Sequence, residues 1–263
     1  MLLSGKTVLL TGATGGIGHA IARHLHGAGV QLVLTGRRAD VLEPLGRELG
    51  AQSLAVDLAD RDAVLRLAEE CADVDVLIAN AALPASGPLT SFTNEEIDRA
   101  LDVNLRAPVI LARVLGERMA GRRSGHMVLI SSLSGKSGSP GTSMYSATKF
   151  GLRGFGQGLR ADLRAFGVGV SVVFPGFISG AGMFADSKVE LPRGVGTSTP
   201  EDVARAVADA IERNRGEVDV APAPMRLGAK FAGLAPEVSA AVARRAGSDK
   251  IAGEMAAAQN SKR

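Results

Sequence analysis

The chain has 263 residues, 46% of them apolar and 22% charged, a globular composition long enough to bury a full core without covalent staples. Its single Cys71 excludes an internal disulfide framework and fits a reducing compartment. The net charge of +3 is the small excess of 30 basic over 27 acidic residues, and no basic run exceeds two residues, which argues against a nucleic-acid-binding surface.

Short apolar runs alternate along the chain with amphipathic stretches. Thr7–Leu10 reads as a first strand and Ile17–Gly27 as the helix after it. Between them stands TGATGGIG, Thr11 to Gly18. Glycines at 12, 15, 16 and 18, with Thr14 and Ile17, allow a tight turn that brings backbone close to a pyrophosphate at a helix N-terminus. A plain tight turn is the simpler alternative, and the flanking strand and helix favour dinucleotide binding. No Gly-Lys-Ser/Thr follows, so the stretch is not a P-loop.

The second strand, Gln31–Leu34, runs into LTGRRAD, with Arg37 and Arg38 and no acid before Asp40. A free ribose 2′-hydroxyl calls for Asp or Glu at this point and a 2′-phosphate for Arg, so NADP(H) is favoured over NAD(H). Two arginines at a helix start oppose the helix dipole, which makes their position informative. The pattern continues with helix Ala39–Leu49, strand Ser53–Val56, helix Arg61–Glu70, strand Val74–Ala79 and helix Asn94–Met119. Strands His126–Ile130 and Val170–Phe174 follow, then helix Pro200–Asn214 and a last strand, Val218–Pro222. Repeated βα units predict an α/β fold: a single doubly wound Rossmann domain with a parallel sheet of about seven strands and helices on both faces.

Tyr145 is the only tyrosine, and Lys149 stands four residues on in MYSATKF, so the two share one helix face. Ser132 follows the fifth strand, at the carboxyl ends of the sheet where ligands of such folds bind. Each has a plain alternative: Tyr145 as core, Lys149 as a solvated partner, Ser132 as one hydroxyl of a serine-rich loop, Asn104 as a helix irregularity.

Together, TGATGGIG, NAA (Asn80–Ala82), VNL (Val103–Leu105), ISSLSG (Ile130–Gly135), YSATK (Tyr145–Lys149) and PG (Pro175–Gly176) resemble the short-chain dehydrogenase/reductase family, in its order, over about residues 5 to 180. The resemblance implies an NADP(H)-dependent oxidoreductase acting on a carbonyl or secondary alcohol. It also implies a catalytic group of Asn104, Ser132, Tyr145 and Lys149. Hydride transfer to a carbonyl builds charge on oxygen, which needs a donor and a proton. Tyr145 would be the general acid, and Ser132 would polarise the carbonyl. Lys149 would lower the tyrosine pKa and hold the nicotinamide ribose, and Asn104 would hold a water that relays protons to the lysine. Asp57 would contact adenine, with Leu58 also in the cofactor-binding set. Asn80, Ala81 and Ala82 would line the adenosine ribose. Pro175, Gly176 and Ile178 belong to the nicotinamide end, where Ile178 flanks the carboxamide. Where the family often has threonine, this chain has Gly180, and either Ser179 or backbone groups would replace the missing hydroxyl. The alternative is a catalytically silent NADP(H)-binding sensor or scaffold of the same fold.

A lysine cation about 4 Å from the phenol, at an effective dielectric of about 20, is worth about 4 kcal/mol. Burial opposes this and makes the fall smaller, but the Tyr145 phenolate is still expected to titrate below the ordinary phenol value. Residues 177–199 read as a substrate lid whose Phe177, Met183, Phe184, Val189 and Leu191 favour an apolar ketone or lipid-like substrate. His19, His24, His26 and His126 lack metal-ligand spacing, and no G-x-S-x-G is present. Gly151, Gly154 and Gly158 near one face of the helix after Tyr145 predict close helix packing in a homodimer.

The tail Pro224–Gly247 carries apolar residues with Arg226, Lys230, Arg244 and Arg245. It reads as a helix packed beside the substrate pocket rather than on a membrane surface, because Pro236 interrupts its stripe. Residues 254–263 are expected to be disordered. The start of the chain has no signal-peptide pattern, and no apolar run approaches the roughly 18 residues of a spanning helix. A soluble cytoplasmic protein is expected.

Overall fold

Valine, leucine and isoleucine runs buried on both faces set the five central strands, and the helices between them present one apolar side each. The computed structural model describes residues 1–187, 189, 191, 195–245, 253–254 and 257–258. The elements run β1 (Thr7–Thr11), α1 (Gly16–Gly27), β2 (Gln31–Gly36), α2 (Ala39–Leu49), β3 (Gln52–Ala55), α3 (Arg61–Glu70) and β4 (Val76–Ala79). Next come α4 (Asn94–Leu101), a π-helical turn (Asp102–Arg106), α5 (Ala107–Gly121), β5 (Gly125–Ile130), α6 (Ser143–Leu163) and β6 (Val168–Pro175). The remainder holds α7 (Gly182–Ser187), α8 (Pro200–Glu212), β7 (Glu217–Val220), α9 (Ala223–Leu234) and α10 (Pro236–Arg245).

Among the described residues the strands form one seven-stranded sheet in the order β3-β2-β1-β4-β5-β6-β7. All its pairings are parallel, with Val8 level with Leu32 on one side and Val76 on the other. Side chains alternate between faces. Val8 and Leu10 pack with α1, α2 and α8 through Ile21, Leu45 and Val207, while Leu9 packs with α3 and α5 through Leu67 and Leu111. Burying each such side chain contributes about 1.5–3 kcal/mol. The chain reverses its direction of growth between β1 and β4, and this switch opens a crevice at the carboxyl ends of the strands.

The expected helix Asn94–Met119 is interrupted. A Thr93–Glu96 capping box starts α4, but the helix widens into the π turn at Asp102–Arg106 before α5. Such turns insert one residue into the ladder and recur at functional sites. The tail forms two helices rather than one, broken at Ala235–Pro236, where proline removes a backbone donor. Lid residues 188, 190 and 192–194 lie outside the described residues, as do tail residues 246–252, 255–256 and 259–263. No helix among the described residues is long and apolar enough to cross a membrane.

Candidate active site

The glycine-rich turn is built by the end of β4. Gly12 has φ +68°, and a Cβ there would lie 2.6 Å from the Cα of Ala81, so only glycine fits this approach. Asn80 ties the two segments together, its Nδ2 donating to the carbonyls of Thr11 and Gly12 at 3.1 Å. The Thr11 hydroxyl accepts from the amides of Asn80 and Ala81, also at 3.1 Å. At the end of β2, Arg37 and Arg38 are both exposed, and Arg38 Nη2 donates to the Thr14 carbonyl at 2.8 Å. A cation is thereby held against the turn.

Gly12, Thr14, Gly15, Gly16, Ile17, Gly18, Arg37, Arg38, Asp57, Leu58, Asn80, Ala81 and Ala82 all line one cleft of about 1290 Å³. Ser132, Tyr145, Lys149, Pro175, Gly176 and Ile178 line the same cleft. Its far wall is apolar, with Phe177, Met183, Phe184 and Met225. Phe177 and Phe184 pack with ring centroids 4.9 Å apart. The turn, the helix N-terminus and the adjacent arginines form a donor set that fits a dinucleotide.

Asp57 lines the cleft with both carboxylate oxygens engaged, one by the Ala59 amide at 3.0 Å and the other by Arg99 at 2.8 Å. Burial pushes this carboxyl up, but Arg99 and the Ala59 amide outweigh it and hold it below the usual range.

Asn104 does not line the cleft. It is fully buried one layer behind, where Oδ1 accepts from the Leu83 amide at 2.6 Å and Nδ2 donates to the Leu83 carbonyl at 2.9 Å. The Asn104 side chain thus clamps Leu83, which does form part of the wall.

Lys149 is 2% exposed, and its Nζ donates to the Ile130 carbonyl at 2.9 Å. Burial lowers its pKa to about 8. Its Nζ lies 5.6 Å from the centroid of the Tyr145 ring. Burial pushes the Tyr145 phenol up to about 12, against a smaller opposing effect from its hydrogen bond with Ser132. The expected lowering of the phenol by lysine is therefore not what the structure holds. Desolvation acts on both groups, and Lys149 loses its proton before Tyr145 does.

The departure at Gly180 also has a backbone cause. Gly180 has φ +78°, a conformation that threonine, being β-branched, adopts only with strain. The Ser179 hydroxyl donates to the Ser198 carbonyl at 3.3 Å, and Ser179 does not line the cleft. On α6, Gly151 packs within the chain, since a Cβ there would meet Leu105 at 3.1 Å, whereas Gly154 and Gly158 face open space.

One buried cation had no sequence signal. Lys136, after the Ser132 loop, is 6% exposed. Its Nζ sits 2.5 Å from Asp219 and 2.9 Å from Glu217, and 3.9 Å from the centroid of the Phe174 ring. Glu217 also pairs with Arg153 of α6 at 2.8 Å. The cluster ties the Ser132 loop and α6 to the edge strand β7. Lys136→Met would leave buried carboxylate charge uncompensated, and urea unfolding should show a loss of about 3 kcal/mol. A loss below about 1 kcal/mol would show the cluster to be solvated and dispensable.

Comparison with known proteins agrees with this geometry. A family model described as short chain dehydrogenase matches residues 6–191. A ketoacyl reductase, HetN, of Nostoc sp. is 37% identical over 85% of this chain and 81% of its own length. A 3-oxoacyl-[acyl-carrier-protein] reductase, FabG, of Rickettsia bellii is 35% identical over 78% of this chain and 89% of its own. Among solved structures, a short-chain dehydrogenase from Sphingobium yanoikuyae in complex with NADPH superposes with a TM-score of 0.76 at 26% identity, covering 88% of this chain and 96% of that one. The seven-stranded fold and these matches place the chain in the short-chain dehydrogenase/reductase family, as an oxidoreductase.

Proposed function

We propose that the chain transfers hydride between NADP(H) and the ketone of an apolar 3-oxoacyl thioester. The observation that carries this reading is the shared cleft, which joins the glycine-rich turn and its arginine pair to Ser132, Tyr145, Lys149 and an apolar wall. Arg37 and Arg38, with no acid beside them at the end of β2, support a 2′-phosphate over a free 2′-hydroxyl. The names of the FabG and HetN relatives support the 3-oxoacyl class.

When bound, NADPH supplies the hydride. The glycine-rich turn would hold its pyrophosphate, Arg37 and Arg38 its 2′-phosphate, and Lys149 its nicotinamide ribose. Ser132 donates a hydrogen bond to the substrate carbonyl and fixes its direction. Tyr145 keeps its proton at neutral pH and gives it to the carbonyl oxygen as charge builds there. Lys149 is mostly protonated at pH 7, below its value of about 8, and its charge stabilises the phenolate left behind. The phenolate then regains a proton from solvent.

NADPH oxidation with a 3-oxoacyl thioester tests this directly. Tyr145→Phe should lower kcat by about 100- to 10,000-fold, the range for a lost general acid, while NADPH still binds. Replacing Arg37 and Arg38 by serine should weaken NADPH about 10- to 100-fold and leave NADH nearly unaffected. Tight NADPH binding without turnover on 3-oxoacyl thioesters or apolar ketones would instead favour a cofactor-binding sensor.

We also propose a homodimer along α6, where Phe150 is exposed and Gly154 and Gly158 leave room for a second helix. Light scattering at micromolar concentration should give the dimer mass, and a monomer would refute it.

A further inference from the structure

The C-terminal hairpin turns its large apolar side chains away from the protein. In α9 only the small Ala229 and Ala232 are buried, while Leu227 is 67% exposed, Phe231 48% and Leu234 86%. These three stand at i, i+4 and i+7 and so share one face. In α10, packed against α9, Val238 and Val242 are likewise exposed at i and i+4. A helix that only packs beside the pocket would bury such residues and expose its alanines. The break at Pro236, which argued from sequence against a surface helix, makes two short apolar faces side by side.

Charge points the same way. Residues 223–245 contain Arg226, Lys230, Arg244 and Arg245 against one acid, Glu237, so this segment carries the chain's whole net charge of +3 and the remainder is balanced. Arg226 and Lys230 are exposed, each one residue before a member of the apolar stripe. Met225, on the same helix, lines the cleft.

We propose that α9 and α10 seat the protein on an anionic lipid surface and bring the cleft mouth to it. Apolar side chains flanked by cations on short helices suit the boundary between headgroups and acyl chains. An apolar substrate would then pass between bilayer and cleft without crossing water. The docking stands apart from the reaction proposed above, because it is read without turnover.

The test is cosedimentation of the full chain with phosphatidylcholine vesicles, with and without phosphatidylserine, at low and raised salt. The wild type should pellet with the anionic vesicles and be released by salt. Arg226→Ser and Lys230→Ser should each weaken binding about fivefold. A variant combining Leu227→Ser, Phe231→Ser and Leu234→Ser should stay in the supernatant. The single Leu234→Ser provides a milder check, and the thermal midpoint verifies that each variant is folded. A wild type left in the supernatant, or a folded triple variant that pellets like wild type, overturns the proposal. If the wild type stays in solution as a dimer that the triple variant dissociates, the face belongs to a second copy of the chain.

Discussion

The hydrogen bond from the buried Lys149 amine to the Ile130 carbonyl fixes where α6 lies on the sheet. A buried amine is costly unless it is paired, so this donor holds the helix to the last residue of β5. The pairing is made from both sides, since the Ser131 hydroxyl donates to the Lys149 carbonyl at 2.9 Å. One turn earlier, the Tyr145 amide donates to the Ala85 carbonyl at 3.1 Å. That bond joins the start of α6 to the loop after β4.

The same loop is anchored at two other points. Asn80 fastens its beginning to the glycine-rich turn, and Asn104 clamps Leu83 from the π turn. A stretch of a few residues thereby fixes the cofactor turn, the irregular helix and the tyrosine helix relative to one another. Backbone groups of Asn80, Ala81, Leu83 and Ala85 are held in this way, which suits a site that must hold reacting groups to a fraction of an ångström. The Lys136 cluster does the same from behind, tying the Ser132 loop to β7.

Much of this was legible in the sequence because it depends on local pattern. The seven strands stand where the apolar runs stand, and α2 and α3 match their expected limits. The cleft gathers the turn, the arginines and the Ser-Tyr-Lys set because each sits at the carboxyl end of its own strand or on the helix beside it. What pattern could not show depends on partners distant in the chain. Lys136 finds its carboxylates on β7, 83 residues from Lys136 in the case of Asp219. Asn104 is expected in the catalytic group from the family resemblance, but its clamp on Leu83 depends on a partner 21 residues away. The tail's stripe was visible, but its direction depended on which side of α9 the small residues packed. The Tyr145 phenol lies above its expected value because sequence spacing gives a distance but not the depth of burial.

Burial, more than mutual attraction, therefore sets the resting protonation of the pair. Tyr145 keeps its proton well beyond neutrality, and Lys149 gives its own up near 8. The absence of any other tyrosine or of tryptophan lets this be read from one chromophore. The near-ultraviolet phenolate band should be followed against pH in the protein without added cofactor, with far-ultraviolet circular dichroism reporting whether the fold persists. A free phenol is half ionised at about pH 10; the account predicts that Tyr145 in the folded chain remains largely un-ionised there, its value pushed up to about 12. Half-ionisation at or below the free-phenol value, with the fold intact, would contradict it and restore Lys149 as the dominant influence on the phenol.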